Sequence, residues 1–140
     1  EYNYHFELGK AKFLRDGDDV LFISTGLMTM RALEAARTLE TDGITAAVLH
    51  CPTVKPLDRE TIIRAAAKPG RLVVLAENHS AIGGLGEAVA GELLRSGVVP
   101  AFRQIALPDA FLAAGALPTL HDRYGISSEA IVKSIRNWCG

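Results

Sequence analysis

The sequence predicts a three-layer, doubly wound α/β domain on a mostly parallel five-stranded sheet with one antiparallel edge strand. Three observations carry that expectation. Short β-prone runs alternate with segments of helical period along the chain, and parallel strands need such crossover connections. The runs Val20-Leu21-Phe22-Ile23 and Leu72-Val73-Val74-Leu75-Ala76 are almost continuously apolar, as in a sheet covered on both faces. Between the first two strands, Asp16-Gly17 is a hairpin-type turn signal, which predicts that the antiparallel edge is made by a hairpin.

The elements follow in order. Ala11 to Arg15 forms the first strand and Val20 to Ser24 the second, stopping at Thr25-Gly26. Met28, Ala32, Ala35, Ala36 and Leu39 lie at helical spacing, and Gly43 closes that helix. Thr45 to His50 is the third strand, after which Pro52 and Pro56 keep the chain extended. Asp58 is an N-cap for a helix whose buried stripe is Ile62, Ile63 and Ala66. Pro69-Gly70 ends it, and Leu72 to Ala76 is the fourth strand, bounded by Glu77. Leu85, Val89 and Leu93 mark a helix that begins in a glycine loop and closes at Gly97. Phe102 to Leu107 is the last strand before Pro108. In the segment from Asp109 to Gly125, Phe111 to Ala114 forms one helical turn, and Ile131, Ile135 and Trp138 stripe a terminal helix.

Composition narrows the function. The chain has 140 residues, one domain's length, with 49% hydrophobic and 22% charged residues. Fifteen Lys+Arg against sixteen Asp+Glu give a net charge of -1, which lacks the electrostatic footprint of a nucleic-acid binder. No apolar run approaches the ~20 residues of a membrane span. Two cysteines, Cys51 and Cys139, make neither a disulfide framework nor a zinc spacing, which implies a reducing, cytoplasmic setting. Glu1-Tyr2-Asn3-Tyr4 has no initiator Met and no signal-peptide pattern, so residues 1–140 are expected to be a single domain cut from a longer polypeptide.

In open parallel sheets, ligands collect outside the carboxyl ends of the strands. That edge carries Thr25–Thr29, His50–Lys55, Glu77–Gly86 and Pro108–Phe111. The richest of these is Glu77-Asn78-His79-Ser80-Ala81-Ile82-Gly83-Gly84-Leu85-Gly86. Glycines leading into a helix can offer backbone N–H groups to an anion, but the spacing is neither G-x-G-x-x-G nor a P-loop. Gly83, Gly84 and Gly86 therefore either cradle an anion or let the helix pack closely on the sheet. Glu77 and His79 are the residue types of acid–base chemistry; the alternative is a cap on the strand end or a bridge to another subunit. His50 and Cys51 are strand neighbours that point to opposite faces, so Cys51 is expected to be a small buried hydrophobe. Ser24 and Ser80 fall in no nucleophile elbow, and no His or Cys spacing suggests a metal.

The order of these signals resembles the C-terminal domain of the transketolase family, which uses thiamine diphosphate. The marks run from Gly9-Lys10-Ala11 and Arg15-Asp16-Gly17-Asp18-Asp19-Val20 through Ile23-Ser24-Thr25-Gly26 and Ala32-Leu33-Glu34-Ala35-Ala36. Val54-Lys55-Pro56-Leu57-Asp58 follows, then Glu77-Asn78-His79 with Gly83-Gly84-Leu85-Gly86, and last Tyr124-Gly125-Ile126 before the Ile131 helix. The form is most similar to transketolases split into two polypeptides.

The resemblance implies a parent that moves a two-carbon ketol unit between sugar phosphates with thiamine diphosphate and Mg²⁺ held between other domains. The family's Gly-Asp-Gly…Asn-Asn diphosphate signature is absent, since Gly17-Asp18-Asp19 has no Asn pair after it. No catalytic, cofactor-binding or metal residue is therefore carried over. The implied role of this domain is assembly with other domains or a subunit of the same enzyme, as a homodimer, without nucleic acid or membrane. Two alternatives stay open: the matching domain of a 2-oxo acid dehydrogenase β subunit, and a stand-alone module binding a phosphometabolite or nucleotide over Gly83–Gly86.

Overall fold

A computed structural model describes residues 4–140; the part of the N-terminal expectation resting on Glu1, Tyr2 and Asn3 lies outside the described residues. Five strands, β1 (Lys12–Arg15), β2 (Val20–Ser24), β3 (Ala46–His50), β4 (Leu72–Ser80) and β5 (Ala101–Leu107), form one sheet in the order β1-β3-β2-β4-β5. Pairings among β3, β2, β4 and β5 are parallel, and β1 is the antiparallel edge. Helices α1 (Leu27–Glu40) and α5 (Ser128–Cys139) cover one face, and α2 (Arg59–Ala66) and α3 (Leu85–Arg95) the other. Alternation along the strands divides the core: Val20, Phe22, Val48 and Val74 meet α1 and α5, while Leu21, Ile23, Leu49 and Leu75 meet α2 and α3. Because both faces are covered, every residue of β2 is buried.

Three local expectations are corrected. The antiparallel edge is present, but β1 pairs with β3 and not with its chain neighbour β2, so Asp16-Gly17 closes no hairpin. Residues 16–19 pass across the amino end of β3 instead. There the Asp18 N–H donates to Thr45 Oγ1 and the Val20 N–H to the Thr45 carbonyl. A Cβ on Gly17 would fall on the backbone of Ala46, so this glycine serves close approach rather than a positive φ. Arg71, buried at the start of β4, fastens the crossing by donating to the Gly17 carbonyl at 2.5 Å.

Second, β4 does not stop at Ala76 but runs to Ser80. Ala76 pairs with Ile105 and Ser80 with Leu107, so β4 spends four residues where β5 spends two. That bulge re-aims the side chains of Glu77, Asn78 and His79. Third, Phe111 to Ala114 is not helical; the helix in this region is α4 (Leu117–Arg123), with a proline in its first turn. Phe111 is fully exposed, and with nothing to pack against, its apolar run has no reason to form a turn of helix.

The Asp58 expectation holds and gains a partner. Its carboxylate accepts the Thr61 N–H at the α2 N-terminus (3.2 Å) and the Ala11 N–H at the start of β1 (2.9 Å). Thr53 Oγ1 accepts the Gly9 N–H and donates to the Pro56 carbonyl. The Gly9–Ala11 and Val54–Asp58 motifs, far apart in sequence, are thus one clamp that lays the N-terminal segment along the carboxyl edge.

Candidate functional site

The carboxyl edge is organised around Glu77. Its side chain is 1% exposed. Oε2 accepts the Leu85 N–H at 2.7 Å; Oε1 accepts the Gly86 N–H at 2.8 Å and the Gln104 amide at 3.0 Å. These N–H groups begin α3, whose N-cap Gly84 supplies no side-chain cap. The carboxylate therefore occupies the place an external anion would take, satisfying the orphan amides and meeting the positive end of the helix dipole. Gly84 and Gly86 are glycines for the same reason. A Cβ on Gly84 would fall on the Glu77 carboxylate, and one on Gly86 on the Gln104 amide. Gly83, at φ 79, turns the chain into the helix, and its N–H donates to Glu87 Oε2.

Asn78 and His79 lie beside Glu77 in sequence but not in environment. Both are exposed. His79 Nδ1 meets only the neighbouring Ser80 carbonyl, at 3.1 Å. The structure therefore does not bring Glu77 and His79 together as an acid–base pair: one carboxylate faces inward to α3 and the imidazole faces out.

A second polar chain runs where β2 and β3 end. Ser24 Oγ donates to Thr29 Oγ1 at 3.0 Å, and Thr29 Oγ1 lies 2.8 Å from His50 Nδ1. Thr29 Oγ1 thus joins Ser24 and His50 in one polar chain, its hydroxyl able to donate to Nδ1 or to accept from it. Burial pulls the His50 titration below its ordinary value, and the ring of Tyr4 meets it edge-on at 5.2 Å. Sequence reasoning missed this trio. The available signal is positional: Ser24 and His50 are register partners in parallel strands, and Thr29 is in the first turns of α1.

Cys51 lies on the opposite face from His50, buried among the residues under α2 and α3. Burial, then the charge of Asp58, pushes its thiol up to about 12. Ser24 is fully buried. Among the described residues no group of three His, Cys, Asp or Glu side chains could hold a metal ion. The α3 N-terminus, the glycine-rich place for a diphosphate, is filled by Glu77, so a magnesium diphosphate does not fit the residues present.

A doubly wound, mostly parallel sheet with one antiparallel edge and a glycine loop capped from within define the class, a three-layer α/β domain. The family model for the transketolase C-terminal domain matches residues 9–131, and the chain belongs to that family. It is 69% identical over 139 residues to a transketolase family protein of Sinorhizobium fredii, covering 99% of this chain and 40% of the relative. It is 44% identical over 132 residues to a 6-deoxy-6-sulfo-D-fructose transketolase subunit of Clostridium sp., covering 94% of this chain and 40% of that subunit. A solved split-gene transketolase, described as an inactive β4 tetramer, superposes with a TM-score of 0.83 at 38% identity over 96% of this chain and 43% of the other. The chain thus spans 40% of the length of both sequence relatives.

Proposed function

We propose that this domain is the assembly module of a split, cytoplasmic transketolase, whose other domains bind thiamine diphosphate and Mg²⁺ and transfer a two-carbon ketol unit between sugar phosphates. One observation carries the assembly role. Exposed apolar side chains gather along the carboxyl edge: Leu27 and Met30 at the start of α1, Ile82 in the glycine loop, and Phe111, Leu112 and Leu117 around the last loop. An apolar rim of this kind marks an interaction surface. Glu77 braces it from within, while Asn78 and His79 face the neighbouring domain or a second copy. The solved relative described as a β4 tetramer supports self-association of such chains, and a homodimer is the simplest closed form.

The test uses the native polypeptide that carries this domain. An antibody against the domain should detect a band of two domains' mass, as a split subunit requires. In that polypeptide, Phe111→Asp and Leu117→Asp should dissociate the assembly in sedimentation velocity, and ketol transfer should fall with the dissociated fraction. An intact assembly with unchanged activity in both variants removes the assembly role. A band at the mass of this chain alone removes the split-subunit reading.

A further inference from the structure

Residues 108–119 are exposed without a break, and α4, whose first turn they include, buries none of its seven residues. A helix this short owes its stability to tertiary packing rather than to its own hydrogen bonds. Within this chain that packing is thin, and the Ala113 N–H holds the arm by donating to Tyr124 Oη at 2.9 Å. The arm presents a knob, because Phe111 is fully exposed on it.

Beside the arm is an open hollow of about 610 Å³, between the end of β5 and the turn from α4 to α5. Leu107, Pro108, Tyr124 and the small side chains of Ala81 and Ala106 give it an apolar wall. Arg123 stands at that wall with its guanidinium 5.7 Å from the centre of the Tyr124 ring. Among the described residues Arg123 pairs with no carboxylate, and Asp109, two positions before Phe111, pairs with no cation. Arm and hollow are thus matched in charge and in shape: an acid and a ring on one, a guanidinium and an apolar wall on the other. The arm leaves the rim of its own hollow at Pro108, and its Phe111 is not part of the wall. Knob and hollow side by side on one face are what an isologous contact needs, since a two-fold axis beside Pro108 carries each Phe111 to the other copy's hollow.

We infer that a second copy of this chain docks here by an exchange of arms. Phe111 of each copy enters the hollow of the other against the Tyr124 ring, and Asp109 of each meets Arg123 of the other. Arg103 and the flanking Pro100 and Pro108 blunt the open edge of β5, so the contact runs through side chains and not through a continuous sheet. The inference rests on the assembly role proposed above and names the partner on this part of the rim, a second copy rather than another domain.

The test uses the native polypeptide that carries this domain, followed by sedimentation velocity. Asp109→Arg and Arg123→Asp each set like charges against one another at both contacts, and each should weaken self-association about tenfold or more. Mixing the two variants restores opposite charges at both contacts, since one copy then carries two arginines and the other two aspartates. The mixture should recover the wild-type dissociation constant. A pair within one copy, or between this domain and a different one, gains nothing from mixing. With p-benzoylphenylalanine in place of Phe111, an equal mixture of ¹⁴N and ¹⁵N polypeptide should cross-link to residues 106–108 or 123–125 in mixed-isotope pairs. Unchanged self-association in both single variants, no recovery on mixing, or cross-links confined to single-isotope species or to other residues each overturns the exchange. If Phe111→Asp and Leu117→Asp still dissociate the assembly in that case, the assembly role stands and the exchange alone falls.

Discussion

Glu77 turns a surface-type residue into the centre of a packed edge. A carboxylate can be this buried only when donors converge on it, and here two backbone amides and Gln104 do so. Glu77→Gln replaces one acceptor oxygen by an NH₂ that must face an N–H. The expected loss is about 1–3 kcal/mol of unfolding free energy, read by urea denaturation; an unchanged midpoint would show that the network does not hold α3. Cys51 and Cys139 differ in the same local terms. Cys51 is 1% exposed with its thiol pushed up to about 12, whereas Cys139 is exposed. At pH 8 a thiol reagent should label Cys139 in the native chain and Cys51 only after denaturation. Native labelling of Cys51 at a comparable rate would contradict its burial.

Among the elements, α2 and β1 are coupled through one side chain. Asp58 caps α2 and also accepts the Ala11 N–H. Burial raises its carboxyl titration, but the hydrogen bonds from Ala11 and Thr61 outweigh that and hold it below the ordinary 3.8. Losing an N-cap alone costs about 1 kcal/mol, so Asp58→Ala should exceed that figure, and hydrogen exchange should quicken at both the Thr61 and Ala11 amides. Faster exchange at Thr61 alone would confine Asp58 to its helix. The cap was legible in the sequence because Asp before an apolar-periodic segment is a local signal. The clamp on β1 joins residues 47 positions apart, and no local pattern contains that pairing.

For the whole molecule, acid sensitivity begins at two histidines. His50 and His121 both titrate below their ordinary 6.5 in the folded chain, so the unfolded chain takes up protons first. Stability is therefore full above about pH 6.5 and falls as the pH drops below it. Urea midpoints at pH 7.5, 6.5 and 5.5 should decline in that order, with a shallower decline in His50→Gln; a flat or rising series would refute the assignment. The sequence by itself determined the α/β class, the five strands and α1, α2, α3 and α5, because periodicity, caps and glycine punctuation act within a few residues; the family rested on the resemblance of its ordered motifs. Tertiary structure alone decided that β1 lies beside β3, since strand order depends on long-range packing and Gly17 signals a turn and a close approach alike. Only the folded sheet set the β4 bulge that sends Glu77 into α3 and Asn78 and His79 outward. It also assembled the Ser24–Thr29–His50 chain and the hydrogen-bonded Arg31–His121 pair, whose members sit on different elements and meet only when their distances and directions in space are fixed.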